Sequence, residues 1–194
     1  LEFNVKKIVI FNKNKFHKFE KNFKRNKIKV FFSIKDALKK NKKKSFLTIN
    51  AISGIEGLEP SLNIIKYTKN LAIANKESII CGWKFIKNEM IKNNTKFIPV
   101  DSEHFSIWSL LQNESIKTVE KVIITASGGP FLNLPINKFK KIKPETAVKH
   151  PNWPMGKKIS IDSATLMNKV FEVIEAKNIF GIDYEKISIL THPK

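Results

Sequence analysis

Four short runs of β-branched and apolar residues, at positions 45–52, 71–74, 96–101 and 119–125, recur along the 194-residue chain with helical or polar stretches between them. Alternation of this kind predicts an α/β fold with a largely parallel sheet. The first run, Ser45 to Ile52, is apolar on both faces, which predicts a strand buried on both sides. Gly54 and Gly57 break it, and Leu58, Leu62 and Ile65 continue at helical spacing. A helix is predicted from about Glu77 to Asn93, with Ile80, Trp83 and Ile91 on one side. Upstream, Val5 to Phe11 reads as a short strand and Ile34 to Lys40 as a short helix. The first 53 residues contain neither Gly nor Pro, so their turns fall to Asn, Ser and Lys. In parallel α/β sheets ligands lie beyond the carboxyl ends of the strands, so the residues that follow each run are the candidates for chemistry.

Composition narrows the function classes. With 42% hydrophobic residues the chain can fill a core, which argues against disorder. The single cysteine, Cys81, excludes an intrachain disulfide framework, and no apolar run approaches the ~18 residues of a membrane span. The formal net charge is +19, from 36 Lys+Arg against 17 Asp+Glu. Most of that excess is local, because residues 1–44 carry 16 basic side chains against Glu2, Glu20 and Asp36. Arg25 is the one arginine, whereas bidentate recognition of phosphates and bases favours the planar guanidinium. A solvated lysine face is therefore the better reading. The phenylalanines interleaved there (Phe16, Phe19, Phe23, Phe31, Phe32) keep a basic nucleic-acid-binding module as the alternative.

The polar clusters after the runs carry the chemical signal. Asn75-Lys76-Glu77-Ser78 reads as a capped helix start. In Asp101-Ser102-Glu103-His104 two carboxylates sit two residues apart, on one side of an extended segment, an arrangement that a shared divalent cation relieves. A helix cap with an acidic first turn explains the same tetrapeptide. Ser127-Gly128-Gly129-Pro130 offers backbone N–H groups and a hydroxyl, as small anion nests do. The stretch from His150 to Lys158 sets Trp153 and Met155 among prolines and lysines, which suits a mobile lid as well as an aromatic packed on the core. Residues from Asp162 to about Phe180 read as one helix, with Leu166, Val170, Val173 and Ile174 as its apolar stripe. Asn168, Lys169 and Glu172 then share a face, and Ser163 lies near the amino end, where phosphate is favoured.

In this order and approximate spacing, these motifs resemble the 1-deoxy-D-xylulose 5-phosphate reductoisomerase family from about Ser45 to Lys194, whereas residues 1–44 follow only its general pattern. The resemblance implies a Rossmann-like parallel sheet, its first Gly-rich unit missing, followed by an α/β catalytic domain with a mobile lid loop. Residues 1–101 would be a partial NADPH-binding domain and 102–194 a partial catalytic domain, with the family's C-terminal helical domain absent. The implied reaction is the NADPH-dependent rearrangement and reduction of 1-deoxy-D-xylulose 5-phosphate to 2-C-methyl-D-erythritol 4-phosphate, in non-mevalonate isoprenoid synthesis.

By the same resemblance, Asp101, Glu103 and Glu172 would ligate Mg²⁺ or Mn²⁺, and Lys76, Glu103 and Glu172 would act in catalysis. Ser127, His150, Ser163, Asn168 and Lys169 would hold the substrate phosphate. Lys76, Ser102 and Glu103 would meet the sugar backbone, and Asn75, Glu77 and Gly156 would lie by the cofactor. Trp153 and Met155 would be lid residues, with Pro154 standing where a serine is common. Leu166 stands where the family often has methionine. The isolated chain is expected to have little or no turnover, and the full-length protein to be a homodimer that acts on a small sugar phosphate without nucleic acid or membrane. A plastid (apicoplast) setting would follow from an apicomplexan source and a bacterial cytoplasm from any other.

Overall fold

The computed structural model describes residues 4–39, 41, 43–148 and 156–192. It divides into two compact units, Leu1–Ser78 with Lys84–Ile98, and Ile79–Trp83 with Pro99–Lys194. The α/β class and the parallel pairing expected from the alternating runs are what the chain adopts.

In the first unit β1 (Lys7–Val9) pairs in parallel with β2 (Lys29–Phe31), through the helix α1 (Lys13–Arg25). Asn12 caps α1 by accepting from the Lys15 N–H at 3.0 Å. Phe16, Glu20 and Phe23 lie half-buried at helical spacing while the lysines of α1 are exposed, so the basic stretch is a solvated face. The Phe16 ring meets Phe32 edge-on at 6.0 Å. A short helix α2 (Ile34–Leu38) follows, capped by Ser33.

A three-stranded sheet comes next, with β4 (Thr68–Ile73) between β3 (Ser45–Asn50) and β5 (Lys96–Pro99). β3 and β4 run parallel, Asn50 opposite Ile73, joined by α3 (Leu58–Ile64). The expectation of a doubly buried first strand is corrected here. β4 carries the buried residues Leu71, Ala72 and Ile73, whereas β3, at the edge of the three, exposes Phe46, Leu47 and Ile49. Its apolar composition reports strand propensity, and burial is decided by position in the sheet.

Helix α4 (Lys76–Lys92) buries Ile79, Trp83, Ile86 and Met90, spaced four, three and four residues apart. The predicted stripe shared only Trp83 with this face. Ile80 is half-buried and Ile91 is 69% exposed, because the true face is rotated by most of a residue step of about 100°.

The second unit contains α5 (Ser102–Leu110), β6 (Val122–Ala126), α6 (Pro144–Ala147), α7 (Lys157–Ala164), α8 (Met167–Phe180) and β7 (Ile187–Thr191). β6 and β7 pair in parallel, Ile124 opposite Ile189. The single helix predicted from Asp162 to Phe180 is in fact two. Leu166 takes a left-handed φ of 60°, which separates α7 from α8 and leaves its side chain exposed. Ser163 consequently sits in the last turn of α7, so the amino-end argument for phosphate does not apply to it. The amphipathic reading of α8 is also corrected. Lys169, Glu172, Glu175 and Ala176 form its buried face, Val170 is exposed, and Val173 and Ile174 are half-buried. Among the described residues no helix is long and apolar enough to cross a membrane.

Candidate active site

In the first unit the residues after β3 and β4 meet around two buried asparagines. Asn50 donates to the Gly57 carbonyl at 2.7 Å and to the Ser61 hydroxyl at 2.5 Å, and accepts from the Ile52 N–H at 3.0 Å. Asn75 occupies the N-cap position of α4, as expected, but its side chain does not cap the helix. Its amide instead donates to the carbonyls of Ile52 and Gly54, at 2.5 and 2.8 Å, and so holds the loop after β3. The loop needs both glycines. Gly54 has φ +77°, and a Cβ on Gly57 would run into the Asn75 amide. Among the described residues Asn75 Oδ1 is buried without a hydrogen-bond partner, an orphaned acceptor at the carboxyl ends of two parallel strands. Lys76 and Glu77 follow, half-buried in the first turn of α4.

The second unit assembles the carboxylates. Asp101 caps α5, its Oδ1 accepting from the Glu103 N–H at 3.2 Å, so the cap reading of this tetrapeptide is correct. The same geometry serves the cation reading, because oxygens of Asp101, Glu103 and Glu172 lie within 4.8 Å of one another. Glu172 comes from the buried face of α8 and is 1% exposed. The ammonium of Lys169 pairs with Glu172 Oε2, donates to Glu103 Oε1 at 3.0 Å and to the Thr125 carbonyl at the end of β6 at 2.7 Å. Asn168 donates to Glu172 Oε1, and the Ser102 hydroxyl donates to Glu103 Oε2 at 2.6 Å. Asn168, Lys169 and Glu172 thus share one face of α8, as their spacing implies.

Two further members of this site were not among the expected ligands. His104 is fully buried on α5, with Nδ1 3.1 Å from Asp101 Oδ1 and 4.0 Å from Glu175 Oε2, and Nε2 2.9 Å from the Glu172 carbonyl. Its ring stacks on Phe180 with centroids 6.4 Å apart. Burial favours the neutral ring, but the Asp101 hydrogen bond, the charges of Glu175 and Asp101 and the Glu172 carbonyl together raise its pKa above the ordinary histidine value. Glu175, 1% exposed, follows Glu172 at helical spacing. That spacing of charged residues on one face of α8 was the available signal for it.

The turn after β6 lies against the end of α7. Gly128 and Gly129 have φ of +78° and +70°, and a Cβ on Gly129 would come within 2.7 Å of the Ser163 carbonyl. The Ser127 hydroxyl accepts from the Gly129 N–H at 3.4 Å. The turn that carries Ser127 is thereby brought to the backbone of Ser163. Gly156 is the N-cap of α7. His150, Trp153 and Met155, with Pro154, lie outside the described residues.

The sequence model of 1-deoxy-D-xylulose 5-phosphate reductoisomerase matches residues 1–82, and that of the enzyme's C-terminal domain matches residues 97–180. The chain belongs to the 1-deoxy-D-xylulose 5-phosphate reductoisomerase family. Its resemblance to the reductoisomerase of Pelagibacter ubique (strain HTCC1062) is 56% identity over 195 residues, covering 99% of this chain and 50% of that protein. Among solved structures it is similar to the reductoisomerase from Zymomonas mobilis in complex with NADPH, with a TM-score of 0.85 and 35% identity over 98% of this chain and 49% of that one. A reductoisomerase in complex with NADPH, fosmidomycin and magnesium matches with a TM-score of 0.83 and 28% identity, over 99% of this chain and 50% of that one. The chain spans about half the length of the reductoisomerases it matches. The likeness also reaches residues 1–44, where the motifs carried no diagnostic residue. None of these relatives supports the nucleic-acid alternative.

Proposed function

We propose that this chain contributes the metal- and substrate-binding part of an NADPH-dependent reductoisomerase, which converts 1-deoxy-D-xylulose 5-phosphate to 2-C-methyl-D-erythritol 4-phosphate. The observation that carries this reading is the convergence of Asp101, Glu103 and Glu172 within 4.8 Å around a buried ammonium. An all-carboxylate oxygen set suits Mg²⁺ or Mn²⁺ rather than zinc. The Lys169 ammonium paired with Glu103 and Glu172 supports the reading of a cation site among these groups. Asp101, Glu103 and Glu172 would hold the metal, which would supply Lewis-acid stabilisation of charge developing on substrate oxygens. Lys76 and Ser102 would orient the sugar, with Glu103 placed to meet both metal and substrate.

Ser127, Ser163, Asn168 and Lys169, with His150, would bind the phosphate. Lys169 would neutralise phosphate charge once the metal takes its place beside Glu103 and Glu172. Asn75, Glu77 and Gly156 would serve NADPH, and the orphaned Asn75 oxygen fits a ligand bearing an amide N–H. Trp153 and Met155 would exclude water as lid residues. In domain terms, residues 1–101 would serve the cofactor and 102–194 the metal and substrate. We place the protein in the bacterial cytoplasm, since relatives such as that of Pelagibacter ubique are bacterial, and expect the full-length protein to dimerise.

The test is a graft. Residues 1–194 replace the matching 195 residues of the Pelagibacter ubique reductoisomerase, and substrate-dependent NADPH oxidation is followed with Mn²⁺ present. Turnover by the graft, reduced at least about 100-fold by Glu172→Gln, supports the reading. A folded graft without turnover, or one indifferent to Glu172→Gln, overturns it.

A further inference from the structure

Behind the three candidate ligands lies a buried layer to which the proposed reaction assigns nothing. His104 on α5 and Glu172 on α8, 68 residues apart in sequence, are joined through the imidazole, in addition to the Lys169–Glu103 ion pair between the same helices. The Glu172 carbonyl can only accept, so His104 Nε2 carries a proton. Nδ1 faces the carboxylates of Asp101 at 3.1 Å and Glu175 at 4.0 Å. Glu175, 1% exposed on the same face of α8 as Glu172, brings a carboxylate to 4.0 Å from that ring.

Resting on the metal-site reading above, we propose that His104 and Glu175 are positioning residues of the carboxylate centre: His104 fixes Asp101 relative to Glu172, and Glu175 backs the ring with a buried carboxylate. Asp101 Oδ1 takes two donors at once, the Glu103 N–H and His104 Nδ1, so its carboxylate plane is set from both the helix end and the ring. A metal centre needs its ligands held to within about 0.5 Å, and partners that orient ligands are worth roughly 10- to 100-fold in metal affinity. Asp101, His104 and Glu175 also lie within 4.8 Å of one another, as ligands of a second cation would. Both ring nitrogens of His104 are already engaged, Nδ1 with Asp101 and Nε2 with the Glu172 carbonyl.

The experiment is calorimetric titration of Mn²⁺ into the 194-residue chain and its variants, with thermal melts by circular dichroism as the check on folding. The parent is expected to bind one equivalent. His104→Ala weakens binding about 10- to 100-fold. His104→Asn, whose amide nitrogen takes the place of Nδ1, recovers most of that loss at an unchanged melting temperature. His104→Gln keeps the bond to the Glu172 carbonyl but not to Asp101, and recovers less. Glu175→Gln weakens binding several-fold. If the alanine variant fails to fold, the ranking of Asn above Gln decides. Parent-like affinity in folded His104→Ala, or Gln equal to or better than Asn, overturns the positioning role and leaves the metal site standing. A second equivalent of Mn²⁺ lost with His104 also overturns it, by making the ring a ligand. A parent chain that binds no Mn²⁺ overturns the metal site itself and the inference with it.

Discussion

Replacing Lys169 with methionine removes the cation that the carboxylate centre contains while keeping the length and apolar stem of the side chain. The Lys169 side chain is 9% exposed, and its partners Glu172 and Glu103 are 2% and 27% exposed. Breaking a buried ion pair from one side costs about 3–5 kcal/mol, because a desolvated charge is left uncompensated. The Asn168 bond to Glu172 and the partial exposure of Glu103 place Lys169→Met near the lower end, at about 3 kcal/mol. For a chain of this length that is a fall of roughly 6–12 °C in melting temperature.

Two further measurements separate charge from packing. Lys169→Met with Glu172→Gln removes both charges and should recover to within about 1 kcal/mol of the parent, because a neutral pair needs no compensation. Mn²⁺ at about 100 times its dissociation constant should return roughly 2.7 kcal/mol to the single variant, and less to the parent, where the ammonium competes for the same oxygens. The assay is thermal unfolding with and without MnCl₂. A single variant as stable as the parent, or a double variant that loses the sum of the two single losses, would refute the argument that these charges balance one another.

Three further outcomes are expected. Ile86→Ala, in the fully buried face of α4, should cost about 3 kcal/mol in urea unfolding, whereas Ile91→Ala, largely exposed, should cost about 0.5 kcal/mol or less; equal losses would mean that the buried face is misassigned. Gly129→Ala should cost at least about 1–2 kcal/mol, since its φ is +70° and its Cβ would press on the Ser163 carbonyl. Gly156→Ala, with a φ of −59° and no described atom within 4 Å of its Cβ, should cost less by the same measurement, about 0.5–1 kcal/mol for the poorer N-cap. The His104 imidazole should titrate by NMR above the ordinary value of about 6.5. Because its folded pKa is raised, its contribution to stability is fully present below the unfolded pKa and is lost as pH rises through the folded one. The parent should therefore lose stability relative to His104→Gln over that window, and a flat difference would contradict it.

The alternation of apolar runs with helical segments was enough to read the fold class, and the grouping of Asp101, Glu103 and Glu172, which lie within 4.8 Å of one another, was implied by the family resemblance. Burial was less legible. Ser45 to Ile52 looks like a central strand because its residues are apolar on both faces, yet sheet order, a long-range property, puts it at an edge. The α4 stripe was misplaced because a helix rich in apolar residues offers more than one face, and packing chooses between them. In α8 the deepest burial belongs to Lys169, Glu172 and Glu175, while Val173 and Ile174 of the expected stripe are half-buried and Val170 is exposed. A Lys–Glu pair at i, i+3 is ordinarily a surface feature, and nothing local shows that Lys169, Glu172 and Glu175 face inward. The break at Leu166 was equally hidden, since a non-glycine residue at positive φ carries no compositional mark. His104 was visible only as the end of a capping tetrapeptide. Its role depends on a carbonyl 68 residues away.

The account's central claim is that one divalent cation is held by Asp101, Glu103 and Glu172. A crystal of the chain soaked in MnCl₂ and measured at the manganese absorption edge tests it directly. The claim predicts one anomalous peak, with an oxygen from each of the three carboxylates at about 2.1 Å and the Lys169 ammonium displaced from between Glu103 and Glu172. A soaked crystal that diffracts well and shows no peak there, or a peak bound by other residues, would contradict it.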